Sequence, residues 1–96
     1  SSENVINHGS YTIDELKRLV YDGDSKISLT SKELDLLLTL IINKGASFAR
    51  EKLLSKVWGS DYYGSDRVVD DLVKRIRKKM PKLNIETIYG FGYRLT

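Results

Sequence analysis

The chain has 96 residues, of which 41% are hydrophobic and 30% charged, with no cysteine and a single histidine. That composition suits one small folded domain. It excludes disulfides and thiolate metal sites, fits a reducing compartment, and offers no apolar run long enough for a membrane span. The net charge of +3 is uneven. Residues 1–48 carry five Lys/Arg against seven Asp/Glu, whereas residues 49–96 carry eleven against six. A basic C-terminal half is the footprint expected of a polyanion binder, although a solvated surface has the same composition.

The start, SSENVINHGS, is polar and carries no signal-peptide pattern. Residues 1–10 are expected to be a linker or tail. The lack of an initiator Met suggests a piece of a longer protein. His8 lies in this segment, without neighbours to orient it for ligation or catalysis.

Residues 11–29 can be read two ways. IDELKRLV could form a short helix, but YDGDS is a strong turn and its flanks alternate polar and apolar. A small antiparallel sheet is the favoured expectation. TSKELDLLLTLIINKG is clearer. Thr30 and Glu33 form a T-x-x-E capping box, Leu34, Leu37, Leu38 and Ile41 make one apolar face, and Gly45 ends the helix. REKLLSKVWG is a second helix over about 50–58, with Leu53, Leu54 and Val57 inward and Gly59 as its stop. Its cap position holds Ala49, which has no side-chain acceptor. Trp58 is expected to pack one ring face inward and keep its edge near solvent.

SDYYGSD reads as a loop. The third helix is expected over about 66–80, capped by Ser65 or Asp66 and stopped by Pro81. NIETIYGFGYRL reads as two β-prone runs around a glycine turn, a terminal hairpin.

The third helix carries the strongest functional signal. Five of the six positions 74–79 are basic. On a helical wheel Val69, Val73, Ile76 and Met80 fall together, with Leu72 beside them. Arg67, Lys74 and Lys78 lie opposite, Asp71 shares their stripe, and Arg75 and Arg77 flank it. One apolar and one basic face on a single helix suit a major-groove reader, because the groove admits one helix and Arg can bind guanine bidentately. A solvated helix with Asp70–Lys74 and Asp71–Arg75 ion pairs is the other reading. It leaves Arg77, Lys78 and Lys79 without acidic partners one turn before them. The hairpin adds Tyr89, Phe91, Tyr93 and Arg94 around two glycines, which could lie along a minor groove or phosphate backbone. Phe91 or Tyr93 packing back on the core is the plainer alternative. No catalytic constellation is present. The acidic pairs are sequence neighbours rather than a dyad around a substrate, and no enzyme activity or cofactor is expected.

Taken together, LTSKELDLLLTLIINKG, REKLLSKVWG, DRVVDDLVKRIRKKM and TIYGFGYRL resemble the OmpR/PhoB-type winged-helix DNA-binding domain of bacterial two-component response regulators. The resemblance covers nearly everything from Tyr11 to Leu95. It implies an α+β winged helix-turn-helix over residues 11–96: an N-terminal antiparallel sheet, three helices, and a C-terminal β-hairpin wing. It also implies that the third helix reads double-stranded DNA in the major groove, with the wing on the adjacent minor groove or backbone. Arg75 is then the base reader, Arg67, Lys74 and Arg77 phosphate contacts, and Trp58 and Tyr93 backbone contacts near helix and wing. Lys78 and Asp71 share the groove-facing stripe, and Asp71 could accept from cytosine N4 or weaken non-specific binding.

Residues 59–66, with Ser60, Asp61, Tyr62 and Tyr63, correspond to a loop that touches RNA polymerase in some members. Tyr89 stands where several members place an Arg that enters the minor groove. Leu72 and Val68 replace polar residues of some members, removing two phosphate hydrogen bonds. The phosphorylated receiver domain, the target of the sensor histidine kinase, has no counterpart in this sequence. The resemblance further implies a cytoplasmic protein, monomeric as an isolated domain, two copies of which bind direct-repeat half-sites. A protein-interaction module that docks an acidic partner through the basic helix is the rival reading, and a general RNA binder a weaker one.

Overall fold

Helix α1, Ser31–Ile42, is the centre of the molecule and packs against both other helices and the last strand. The computed structural model describes residues 4–62 and 64–96. The α1 N-terminus is closed as the sequence requires. Thr30 Oγ1 accepts from the Glu33 amide at 3.3 Å, and Glu33 Oε1 accepts from the Thr30 amide at 2.9 Å. The buried face is broader than one stripe. Leu36 and Leu40 are as buried as Leu34, Leu37 and Ile41, while Leu38 is half-buried. A helix enclosed on several sides needs apolar residues beyond the i, i+3, i+4 set.

Ahead of α1 lies a four-stranded antiparallel sheet in the order β1-β2-β3-β4: Val5–His8, Tyr11–Asp14, Leu19–Asp22 and Ser25–Ile27. Tyr11, Ile13 and Val20 turn inward, with Ile13 opposite Val20. IDELKRLV is therefore not a helix. Asp14 Oδ1 accepts from the Lys17 amide at 2.9 Å, and Arg18 takes a left-handed φ of 56°. The Asp14 bond would cap a helix as well as a turn; it is the left-handed Arg18 that stops the chain after one turn and sends it into the strand that follows. The tail expectation also needs correction. Val5–His8 pairs in register with β2, from Val5 opposite Asp14 to His8 opposite Tyr11, and Ile6 packs on the core. An edge strand is held mainly by backbone hydrogen bonds, so its polar composition gives little sign of it.

Between the first two helices runs a short strand, β5, Ser47–Ala49, which no local pattern predicts. It pairs with β7 in a three-stranded sheet of order β5-β7-β6, where β6 is Ile85–Ile88 and β7 is Gly92–Leu95. Gly45, at φ 92°, donates its amide to the Leu95 carbonyl as the chain enters β5. Helix α2, Arg50–Trp58, starts at Ala49 with no side-chain cap, as expected. The Arg50 amide instead donates to the Phe91 carbonyl at 3.2 Å, so the hairpin supplies the missing acceptor.

Helix α3 spans Arg67–Lys79 and buries Val69, Leu72, Val73 and Ile76. Of the two expected caps Ser65 is used: its Oγ accepts from the Arg67 amide at 3.2 Å, whereas Asp66 makes no capping bond. Met80 follows, fully buried, with its amide on the Ile76 carbonyl at 2.7 Å. Two long-range ties hold α3 and its exit in place. Lys79 Nζ meets the buried Glu33 carboxylate at 2.7 Å, and the Lys82 amide donates to Tyr11 Oη at 3.0 Å.

Candidate nucleic-acid interface

The outward face of α3 follows from its inward one. With Val69, Val73 and Ile76 in the core, Arg67, Asp71, Lys74, Arg75 and Lys78 are all exposed. Neither intrahelical ion pair expected from the spacing forms. Among the described residues, none of the ion pairs includes Arg67, Asp71, Lys74, Arg75 or Lys78. Arg67 and three further cations over three turns therefore stand without protein counter-charges, with Asp71 in their midst. Asp70, expected to pair with Lys74, points elsewhere. Its carboxylate meets Arg50 at 2.8 Å and accepts from Tyr93 Oη at 2.6 Å.

Two residues expected on DNA also bond within the protein: Arg77, which stays exposed, and Tyr93, which is buried. The Arg77 guanidinium reaches the hairpin, donating to the Ile85 carbonyl and to Thr87 Oγ1, and lies 5.8 Å from the centre of the Tyr93 ring. Tyr93 is only 7% exposed, and its hydroxyl is committed to Asp70. Burial, with the Asp70 carboxylate adding to it, pushes the Tyr93 phenol up to about 12, so it stays a neutral donor. Both side chains link helix to hairpin. Periodicity cannot show this, because it registers only the direction in which a side chain leaves its own element.

Trp58 is half-buried, stacked on Tyr62 with ring centroids 5.7 Å apart, and Lys32 Nζ sits 5.6 Å from its ring. Truncation to Ala should cost about 2 kcal/mol, below the roughly 3–5 of a fully buried aromatic. Thermal melting checks this, and an unchanged midpoint would make the indole a pure surface contact. Ser60, Asp61 and Tyr62 are exposed, while Tyr63 lies outside the described residues. At the hairpin tip Phe91 donates its amide to the Ile88 carbonyl at 2.9 Å, and Gly90 supplies the φ of 77°. This type of turn leaves Tyr89 93% exposed and Phe91 47% exposed. The tip thus presents two aromatic rings on the edge beside α3.

Arg50 is the residue that sequence reasoning missed. It bonds both Asp66, at 3.2 Å, and Asp70. A signal existed: a cation in the first turn of a helix opposes the macrodipole and calls for acidic partners nearby. Among the described residues no group of three or more His, Cys, Asp or Glu could hold a metal ion, and no helix is long and apolar enough to cross a membrane.

Comparison with known proteins agrees with this architecture. The family model "Transcriptional regulatory protein, C terminal" matches residues 24–95. The transcriptional regulatory protein CssR of Bacillus subtilis is 58% identical over 94 residues, covering 97% of this chain and 42% of that protein. The chain thus spans less than half the length of this relative. The crystal structure of the CssR DNA-binding domain superposes with a TM-score of 0.87 at 60% identity, covering 91% of this chain and 100% of that one. The Klebsiella pneumoniae RstA DNA-binding domain, solved in complex with the RstA box, gives 0.85 at 33% identity, covering 96% of both chains. DrrB of Thermotoga maritima, an OmpR/PhoB homologue, gives 0.86 at 37%, covering 97% of this chain and 44% of that one. The winged-helix fold, the basic third helix and these similarities agree: the chain belongs to the OmpR/PhoB-type winged-helix family, the C-terminal domains of transcriptional response regulators, which are not enzymes.

Proposed function

We propose that this domain binds double-stranded DNA sequence-specifically and serves as the effector of a two-component response regulator that controls transcription. The observation that carries the reading is the exposed stripe of Arg67, Lys74, Arg75 and Lys78 on α3, free of internal ion pairs among the described residues. Cations already compensated within the protein gain little from a phosphate; uncompensated ones release counterions from DNA when they bind. Helix α3 lies in the major groove. Arg75 reads a base, and Arg67, Lys74 and Lys78 meet phosphates. Asp71 shares their stripe as an acceptor. Trp58 lies near the backbone, and Tyr89 meets the adjacent minor groove or its edge. The RstA domain, solved on its DNA box, supports the same mode here.

In the full-length cytoplasmic protein a receiver domain, phosphorylated through a sensor histidine kinase, controls this domain. The loop with Ser60, Asp61 and Tyr62 faces RNA polymerase. The isolated domain is a monomer and binds DNA as a tandem pair on half-sites about one helical turn apart. Gel shifts with random duplex, promoter fragments and single-stranded RNA at two salt concentrations test the central claim. Duplex binding that weakens steeply with salt is expected. Absence of duplex binding at low salt would overturn it in favour of an acidic protein partner.

The stripe should divide by role. Lys74→Ala should weaken binding to all duplexes alike and lower the salt slope by about one. Arg75→Ala should cost about 1–3 kcal/mol and relax preference at one base position. Neither should shift stability by more than about 0.5 kcal/mol, since both side chains are exposed. Salt titrations and selection from a random library check both. If both variants bind specific and random DNA like the parent, the stripe is only a solvated face.

A further inference from the structure

The hairpin leans on α3 through side chains rather than through a sheet. Tyr93 Oη reaches Asp70 from β7 at 2.6 Å. Arg77 reaches the Ile85 carbonyl and Thr87 Oγ1 on β6, and its guanidinium lies over the Tyr93 ring. Arg50 closes the set from α2, with its guanidinium on Asp66 and Asp70 and its amide on the Phe91 carbonyl. Asp70 is the common member. It takes bonds from α2 and from the hairpin while sitting on α3, one position before the groove-facing Asp71. Its charge is matched by Arg50, so it is not a carboxylate aimed at phosphate.

The two DNA-facing parts differ in how they are held. Helix α3 is anchored by its own buried face; the hairpin is held to the α2 side by the β5–β7 ladder, and its tip at Tyr89 projects beyond that three-stranded sheet. The ladder leaves the hairpin to be tied on the α3 side by the side-chain contacts of Tyr93 and Arg77, which trim its pitch against that helix. Duplex DNA fixes the distance between a major groove and the next minor groove, so only one pitch lets both parts engage. A tip held at that pitch adds its contacts with little further ordering, whereas a loose one has to be ordered on binding. Resting on the DNA-binding reading above, we infer that Asp70 is a positioning residue that, with Tyr93, Arg50 and Arg77, sets the angle between α3 and the hairpin so that both meet one duplex together.

The test compares parent, Tyr93→Phe and Asp70→Asn on two duplexes. One is recovered with the parent by selection from a random library. The other is the same duplex cut back to end before the base pairs that hydroxyl-radical footprinting assigns to the hairpin. Tyr93→Phe keeps the packed ring and the Arg77 stacking and removes one hydrogen bond. Asp70→Asn keeps the size and removes the charge that holds Arg50, so a folding defect in one variant leaves the other to decide. Affinity for the full duplex should fall about tenfold, while affinity for the shortened duplex stays within about twofold of the parent. Hairpin-side protection should fade while helix-side protection persists.

Equal weakening on both duplexes would make the contact merely structural and overturn the inference, as would no weakening on either. A parent footprint without hairpin-side protection would also overturn it. A parent that binds no duplex at all would sink the DNA reading itself, and the positioning role with it; the other outcomes leave that reading standing.

Discussion

Gly92→Ala should destabilise the domain by about 3 kcal/mol or more, enough to lower its melting temperature by more than about 10 °C. Gly92 opens β7 and is fully paired, opposite Ala49 on β5 and Ile88 on β6. Its φ is not in the left-handed region, so backbone freedom is not the reason for glycine here. The reason is space: a Cβ at this position would collide with the Phe48 carbonyl oxygen. That atom belongs to the backbone of β5 and cannot swing aside like a side-chain terminus. Relief requires β5 to separate from β7, which breaks the ladder that joins the hairpin to the helical layer. Added volume in a packed site typically costs about 1–3 kcal/mol, and more where backbone must move. Urea unfolding would decide it. A midpoint within experimental error of the parent would mean that β5 can shift freely, and that the close approach has no energetic weight.

The second large effect is expected at Glu33. Its side chain is 1% exposed, and it is the only charged residue among the buried ones described. It closes the cap of α1 and meets Lys79 at the far end of α3. Breaking a fully buried pair costs about 3–5 kcal/mol. Lys79 is 37% exposed and can rehydrate, which reduces the expected loss for Glu33→Ala to about 2–3 kcal/mol. The same site predicts a pH dependence. Burial pushes the Glu33 carboxyl up, but the Lys79 and Thr30 hydrogen bonds together outweigh it and hold the pKa below its ordinary 4.5. A depressed folded-state pKa stabilises the native state above the unfolded value, and that contribution is lost as pH falls through the folded one. The stability gap between parent and Glu33→Gln should therefore be widest above pH 4.5 and shrink below it. A gap that stays constant down to pH 3 would show that the carboxylate charge contributes nothing.

Local pattern in the sequence was enough for much of this molecule. The capping box at Thr30 and Glu33, the missing cap at Ala49, the glycine at the hairpin tip and the separation of Val69, Val73 and Ile76 from Lys74 and Lys78 all appear in the structure as the residues imply. Each depends on interactions within about four residues, or on a periodicity that any helix must obey. The exposed stripe of α3, and with it most of the candidate DNA face, was legible for that reason. The motif set extended the reading to the winged-helix family, because several short patterns in a fixed order are far more specific than any one of them.

What tertiary structure alone decided are the features whose partners are distant in sequence. Val5–His8 and Ser47–Ala49 are strands because neighbouring strands offer backbone groups, not because their own side chains demand it. Arg77 and Tyr93 look like DNA contacts by sequence position, yet they reach Thr87 and Asp70, 10 and 23 residues away. Asp70 has the spacing for an ion pair with Lys74, but Arg50, 20 residues earlier, takes it. A long flexible cation at i+4 gains only about 0.3–0.5 kcal/mol in an exposed helical pair. A phenol held in the core, and a guanidinium already anchored on Asp66, lose less entropy in meeting the same carboxylate. The sequence by itself determined which face of α3 is presented to a partner; the tertiary structure decided which charges on that helix remain free to meet it.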